Sequence, residues 1–187
     1  ILRTNGLPML RRLRLDGNVF GHEGMQALFE GLGRGAAPSL CYLDCGDNQF
    51  GPTGAEALAA ALSRGTLRTL EQLDCSFNCI GDEGIAALAA PLRKLPALKK
   101  LLVDCGGPEG VASFVAGLGK DDFKALTHFS IRFGANSSDK AYAMLTSALD
   151  QAAMPRLKRL LVPIWPNSLA LVQAARRRGI DVSPAKS

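Results

Sequence analysis

The chain has 187 residues, 47% hydrophobic, 6% aromatic and 21% charged, with a formal net charge of +5. That is ample material for the core of one ordinary domain. No window approaches 18 consecutive apolar residues, which argues against a membrane-spanning helix, and five cysteines are an odd set in a chain that needs no disulfide framework.

We read the thiols as reduced, which points to an intracellular compartment, cytoplasmic or else an organelle. The organelle stays open because the chain begins at Ile1 rather than Met, so the natural N-terminus is expected upstream. Charge is uneven along the chain. Residues 1–97 carry nine Lys/Arg against ten Asp/Glu, a balance of −1, whereas residues 98–187 carry thirteen against seven, a balance of +6.

The first element opens as Leu10-x-x-Leu13-x-Leu15-x-x-Asn18, and the phrase returns at Leu40-x-x-Leu43-x-Cys45-x-x-Asn48 and Leu70-x-x-Leu73-x-Cys75-x-x-Asn78. Apolar residues at the first, fourth and sixth places suit a short strand feeding one core. A second phrase follows each opening: Phe20-Gly21-x-x-Gly24, Phe50-Gly51-x-x-Gly54 and Ile80-Gly81-x-x-Gly84. Leu28 and Leu32, Leu58 and Leu62, and Leu88 and Leu92 then repeat at helical spacing. Pro52 suits a first helical turn, and Glu23, Asp82 and Glu83 place acids at the positive end of a helix dipole.

Looser copies open at Leu98, Leu126 and Leu157, so successive starts differ by 30, 30, 28, 28 and 31 residues. A helix over roughly 167–178 and a short strand near 179–183 end the series. One unit cannot bury its own apolar face, so the units must stack. Residues 1–187 are expected to form a single domain of about six repeats, with strands starting near 10, 40, 70, 98, 126 and 157.

These openings resemble the leucine-rich-repeat family, in particular the long-repeat subclass that includes ribonuclease inhibitor and the Ran GTPase-activating protein. The resemblance implies an α/β leucine-rich-repeat solenoid, a horseshoe with parallel β-strands on the concave face and α-helices on the convex face. It also implies that Asn18, Asn48 and Asn78 satisfy backbone groups at the strand-to-helix corners. Left unpaired when buried, such groups would cost about 1–3 kcal/mol each. Gly106, Gly134 and Trp165 stand at the matching later positions, and Leu98 to Val111 spans 13 places where Leu70 to Ile85 spans 15. Less regular corners are therefore predicted from residue 104 onward.

In this architecture the residues between the strand leucines face the concave side. Arg12, Tyr42, Lys100, His128 and Arg159 fall in one predicted column, Arg14, Asp44 and Asp74 in a second, and Asp104 and Arg132 in a third. Asp47, Phe77, Cys105 and Phe133 stand one place further on. Of these, Arg12, Arg14, Tyr42, Asp44, Asp47, Asp74, Phe77, Lys100, Asp104, His128, Arg132, Phe133 and Arg159 are the candidate partner-binding residues, since charge beside aromatic and arginine anchors is what protein interfaces favour.

No catalytic, metal or cofactor site is expected. Neither histidine lies beside the Asp44–Asp74 pair. Cys45 and Cys75 fall at inward places that Leu15 and Val103 fill in other units, and the glycines recur once per repeat without a phosphate-loop lysine. The function expected is a non-catalytic protein-binding scaffold, a subunit of a larger intracellular assembly. The alternatives are a GTPase-regulating repeat protein, which the resemblance suggests, and a nucleic-acid-associated subunit using the clusters around Arg93, Lys99, Arg156 and Arg176. Nucleic acid is the less favoured partner, because no aromatic platform accompanies those clusters.

Overall fold

The structure is a computed structural model, and it describes residues 6–134 and 138–185. Strands and helices alternate: β1 Arg12–Arg14, α1 Gly21–Gly33, β2 Tyr42–Asp44, α2 Gly51–Ser63, β3 Gln72–Asp74, α3 Gly81–Arg93, β4 Lys100–Asp104, α4 Pro108–Val115, β5 His128–Arg132, α5 Ser138–Asp150, β6 Arg159–Val162, α6 Leu169–Arg177 and β7 Asp181–Pro184. A 3-10 turn, Pro166–Ser168, leads into α6. The described strands form one sheet in the order β1 to β7, and every neighbouring pair is parallel.

The architecture is the expected α/β solenoid of about six repeats. Its curvature follows from two spacings: parallel strands sit about 4.8 Å apart, whereas packed helices need about 8–10 Å. A ribbon with strands along one side and helices along the other must bend with the strands inside. The core lies between the two layers, where Leu43, Leu73, Leu101, Phe129 and Leu160 are fully buried in successive strands.

The second phrase of each early repeat has a mechanical reason. Gly51 and Gly81 open their helices at φ +61° and +69°, a region that costs an L side chain. Three residues later Gly54 must be small, because a Cβ there would stand 2.6 Å from the Phe50 Cβ. Phe50 can then bury completely, edge-on to Phe29 with ring centroids 5.6 Å apart.

The asparagine ladder is present where the resemblance placed it. Asn48 Nδ2 donates to the carbonyls of Leu15 (2.8 Å), Cys45 (3.2 Å) and Gly46 (2.9 Å). Asn78 repeats this with Cys45, Cys75 and Ser76, and its Oδ1 accepts the Asn48 N–H at 2.8 Å. Both side chains are wholly buried, so each one joins two repeats.

The later corners differ, as the missing asparagines predict. Helix α4 has 8 residues where α1 to α3 have 13, and Gly107 before it is extended at φ −133° rather than left-handed. Its N–H is taken by Asp82 Oδ1 from the start of α3, at 2.6 Å. Three glycines make room, since a Cβ on Gly110 would lie 2.5 Å from that same oxygen. At the sixth corner the Tyr142 hydroxyl donates to the Pro163 carbonyl and accepts the Trp165 N–H. Each replacement comes from a neighbouring repeat's helix rather than from the corner itself.

Candidate functional site

The strand register aligns the predicted columns. Arg12, Tyr42, Gln72, Lys100, His128, Arg159 and Asp181 are successive Cα partners across the sheet. A second line runs Arg14, Asp44, Asp74, Leu102, Ser130, Leu161 and Ser183. Asp104 stands opposite Arg132 in a third.

A hollow of about 440 Å³ opens on this face. It gathers Tyr42, Asp44, Asp74, Phe77, Lys100, His128, Arg132 and Arg159 from the candidate set. Ser76, Ser130, Leu102 and Leu161 join the lining as residues of the same columns, with the inward Leu101 beneath them. Alternation along each strand was the signal for these four, but a lone Ser or Leu does not advertise contact with a partner.

Five candidates lie outside the hollow. Arg12 stacks over the Tyr42 ring, 4.5 Å from its centroid, and Arg14 pairs with Asp16 at 3.3 Å on exposed surface. Asp47 is exposed at a corner. Asp104 is engaged internally: its carboxylate accepts the Phe77 N–H and pairs with Arg132 at 3.3 Å. Phe133 is corrected outright. It is only 6% exposed and packs in the core against Tyr142, ring centroids 5.5 Å apart.

Strand length is the reason. β2 and β3 end at Asp44 and Asp74, and the chain flips to positive φ at Asp47 (+52°) and Phe77 (+59°), which turns those side chains outward. β4 and β5 run two residues longer, to Asp104 and Arg132, so period-2 alternation carries on and sends Cys105 and Phe133 inward. One position of the repeat thus has opposite orientations in the two halves.

Electrostatics divide the hollow. Asp44 and Asp74 face each other on β2 and β3. Asp44 accepts the Tyr42 hydroxyl at 3.0 Å and the Gly46 N–H at 3.3 Å, while Asp74 accepts both the Ser76 N–H (3.0 Å) and hydroxyl (2.6 Å). Burial, and then the Asp74 charge, push the Asp44 carboxyl above the usual carboxylate range. On the other side Lys100, His128 and Arg159 are consecutive partners. Burial, and then Arg159, Lys100 and Lys158, hold the His128 imidazole below its ordinary value.

His128 is hydrogen-bonded to its chain neighbour Thr127. Its Nδ1 lies 2.9 Å from Thr127 Oγ1, but that hydroxyl donates its one proton to the Lys99 carbonyl at 3.0 Å. The imidazole must then donate to Thr127, and its Nδ1 carries the hydrogen. Among the described residues no group of three His, Cys, Asp or Glu is placed to hold a metal ion. Cys45 and Cys75 sit fully buried, with their thiols pushed up by burial.

Several residues of the basic clusters serve the solenoid itself. Arg93 Nη2 donates to the Phe114 carbonyl (2.6 Å) at the end of short α4. Arg178 donates to the carbonyls of Leu149 (3.0 Å), Ala153 (2.8 Å) and Met154 (3.1 Å) after α5. Lys99 and Arg177 pair with Glu71 and Asp150, both at 2.9 Å. No described helix is long and apolar enough to cross a membrane.

The stacked strand–corner–helix units, one open parallel sheet and the asparagine ladder define a β/α solenoid whose unit is the leucine-rich repeat. A family model for the Leucine Rich repeat matches residues 6–29, 36–59 and 66–89, the first three units. The chain is a leucine-rich-repeat protein, and its later units continue the same sheet. No curated protein matches it.

Proposed function

We propose that this chain is a non-catalytic protein-binding scaffold, a subunit of a larger assembly, and that the hollow on its strand face holds the partner. Leucine-rich repeats typically serve protein binding, and the open, two-signed hollow suits a macromolecular surface better than a small substrate that must be closed off from water.

The observation that carries this reading is Phe77. It remains 45% exposed at the hollow's rim with φ +59°, a conformation that a bulky side chain rarely adopts. Asp47 fills the same corner one repeat earlier and tolerates that backbone far better. The phenyl ring is held by the Arg132 guanidinium, 3.5 Å from its centroid, and its N–H by Asp104. A strained, exposed and braced aromatic is what a binding anchor requires. The internal use of Arg93 and Arg178 is a reason to favour protein over nucleic acid as the partner.

The test is photo-crosslinking from native extract with a benzoylphenylalanine at position 77, beside the triple variant Arg12→Ala, Tyr42→Ala, Phe77→Ala. A discrete crosslinked protein, lost in the presence of unlabelled wild-type chain, is the expected result. Partner capture undiminished by the triple variant would overturn the reading.

A further inference from the structure

Resting on that reading, the geometry points to the partner's chemistry. We propose that the hollow takes an extended protein segment presenting, on one face, a cationic side chain over Asp44 and Asp74, an apolar side chain over Leu102, and an anionic side chain over Lys100, His128 and Arg159. In sequence this is cation, any residue, apolar residue, any residue, anion, read in either chain direction.

The order of charges comes from the register. Two carboxylates occupy adjacent places on β2 and β3, and three basic side chains occupy adjacent places on β4, β5 and β6. The two groups do not neutralise one another. Asp44 and Asp74 are hydrogen-bonded to neutral donors and form no ion pair among the described residues, while Arg159 uses Asp181 at the far side. Leu102 lies between them in the Asp74 to Ser130 line, with the Phe77 ring beside the same hollow. A cation beside Asp44 would offset the repulsion from Asp74 that now adds to the effect of burial there.

Spacing sets the length of the motif. From midway between β2 and β3 to β5 is two and a half strand intervals, or about 12 Å at about 4.8 Å each. An extended chain advances about 13 Å in four residues, and its first, third and fifth side chains share a face. The three side chains therefore reach the acidic pair, the Leu102 floor and the His128 column together.

The experiment is an NMR titration of the 15N-labelled full chain with three acetylated, amidated pentapeptides: Arg-Thr-Leu-Thr-Glu, Arg-Thr-Leu-Thr-Arg and Glu-Thr-Leu-Thr-Glu. The mixed peptide is expected to move the amides of Tyr42, Asp74, Leu102 and His128 saturably, and to bind about fivefold more tightly than either like-charged peptide. The double variant Asp44→Asn, Asp74→Asn should erase that preference. Equal binding of all three peptides, preference for a like-charged one, or no saturable movement of these amides overturns the charge pattern. Crosslinking from position 77 would survive those outcomes, so failure of the motif and failure of the docking reading are separately visible.

Discussion

The first three repeats and the last three solve one problem by different means. Where the chain leaves a strand for a helix, buried carbonyls and N–H groups need partners. In repeats one to three the partner is a residue of the corner itself, Asn48 or Asn78, whose amide also ties that corner to the repeat before, and every corner has the same left-handed glycine. Later corners borrow: Asp82 reaches into the corner before α4, Tyr142 into the corner after β6, and Arg93 and Arg178 close helix ends in adjacent repeats. A solenoid can lose its repeated polar ladder if side chains from neighbouring units take over its bonds one by one. The hollow lies at the seam between the two regimes, where three-residue strands give way to five-residue ones.

Breaking the ladder should have the largest effect. Asn78→Ala leaves three buried carbonyls and the Asn48 N–H without their partner, and should cost about 3 kcal/mol in a denaturant titration. The borrowed contacts are fewer per residue. Asp82→Ala and Tyr142→Phe should each cost about 1–2 kcal/mol by the same measurement. If either matched the loss at Asn78, the two halves would be equally dependent on single side chains and the contrast would fail.

Smaller effects sharpen the picture of the hollow. The folded Asp44 carboxyl sits above its unfolded value near 3.8, so its ionised form costs stability at neutral pH and none once both states are protonated. Asp44→Asn should therefore melt slightly higher than wild type at pH 7. That gain should shrink as pH falls through the folded value towards 3.8, as thermal scans across pH can follow. The least change in stability is expected at Phe77. In Phe77→Asn, relief of the left-handed backbone and loss of the Arg132 stacking oppose each other, so unfolding should shift by no more than about 0.5 kcal/mol. Partner capture should nevertheless fall, which separates an anchor from a structural residue.

Much of this was legible in the sequence, for a physical reason. A phrase repeated every 28 to 31 residues specifies strand, corner and helix locally, and stacking copies in register is the way such units bury their leucines. Strand order and the inward Cys45 and Cys75 follow from spacing, while the concave columns and the asparagine ladder came with the resemblance that the spacing carries. The weakened corners after residue 104 were visible as absences, though their replacements were not.

What only tertiary structure decided concerns side chains whose partners lie a repeat away. Phe133 was expected on the open face because the repeat places it beside Phe77, yet two more residues of strand turn it into the core. Asp82 read as a helix-dipole acid, and nothing in its spacing announced that it also holds the Gly107 N–H. Asp104 and Arg132 read as partner-binding candidates, and only the fold set them around Phe77. Periodicity specifies backbone path and facing, because those are set within a few residues. Which long side chain completes which corner depends on distances between units, and those exist only once the units have stacked.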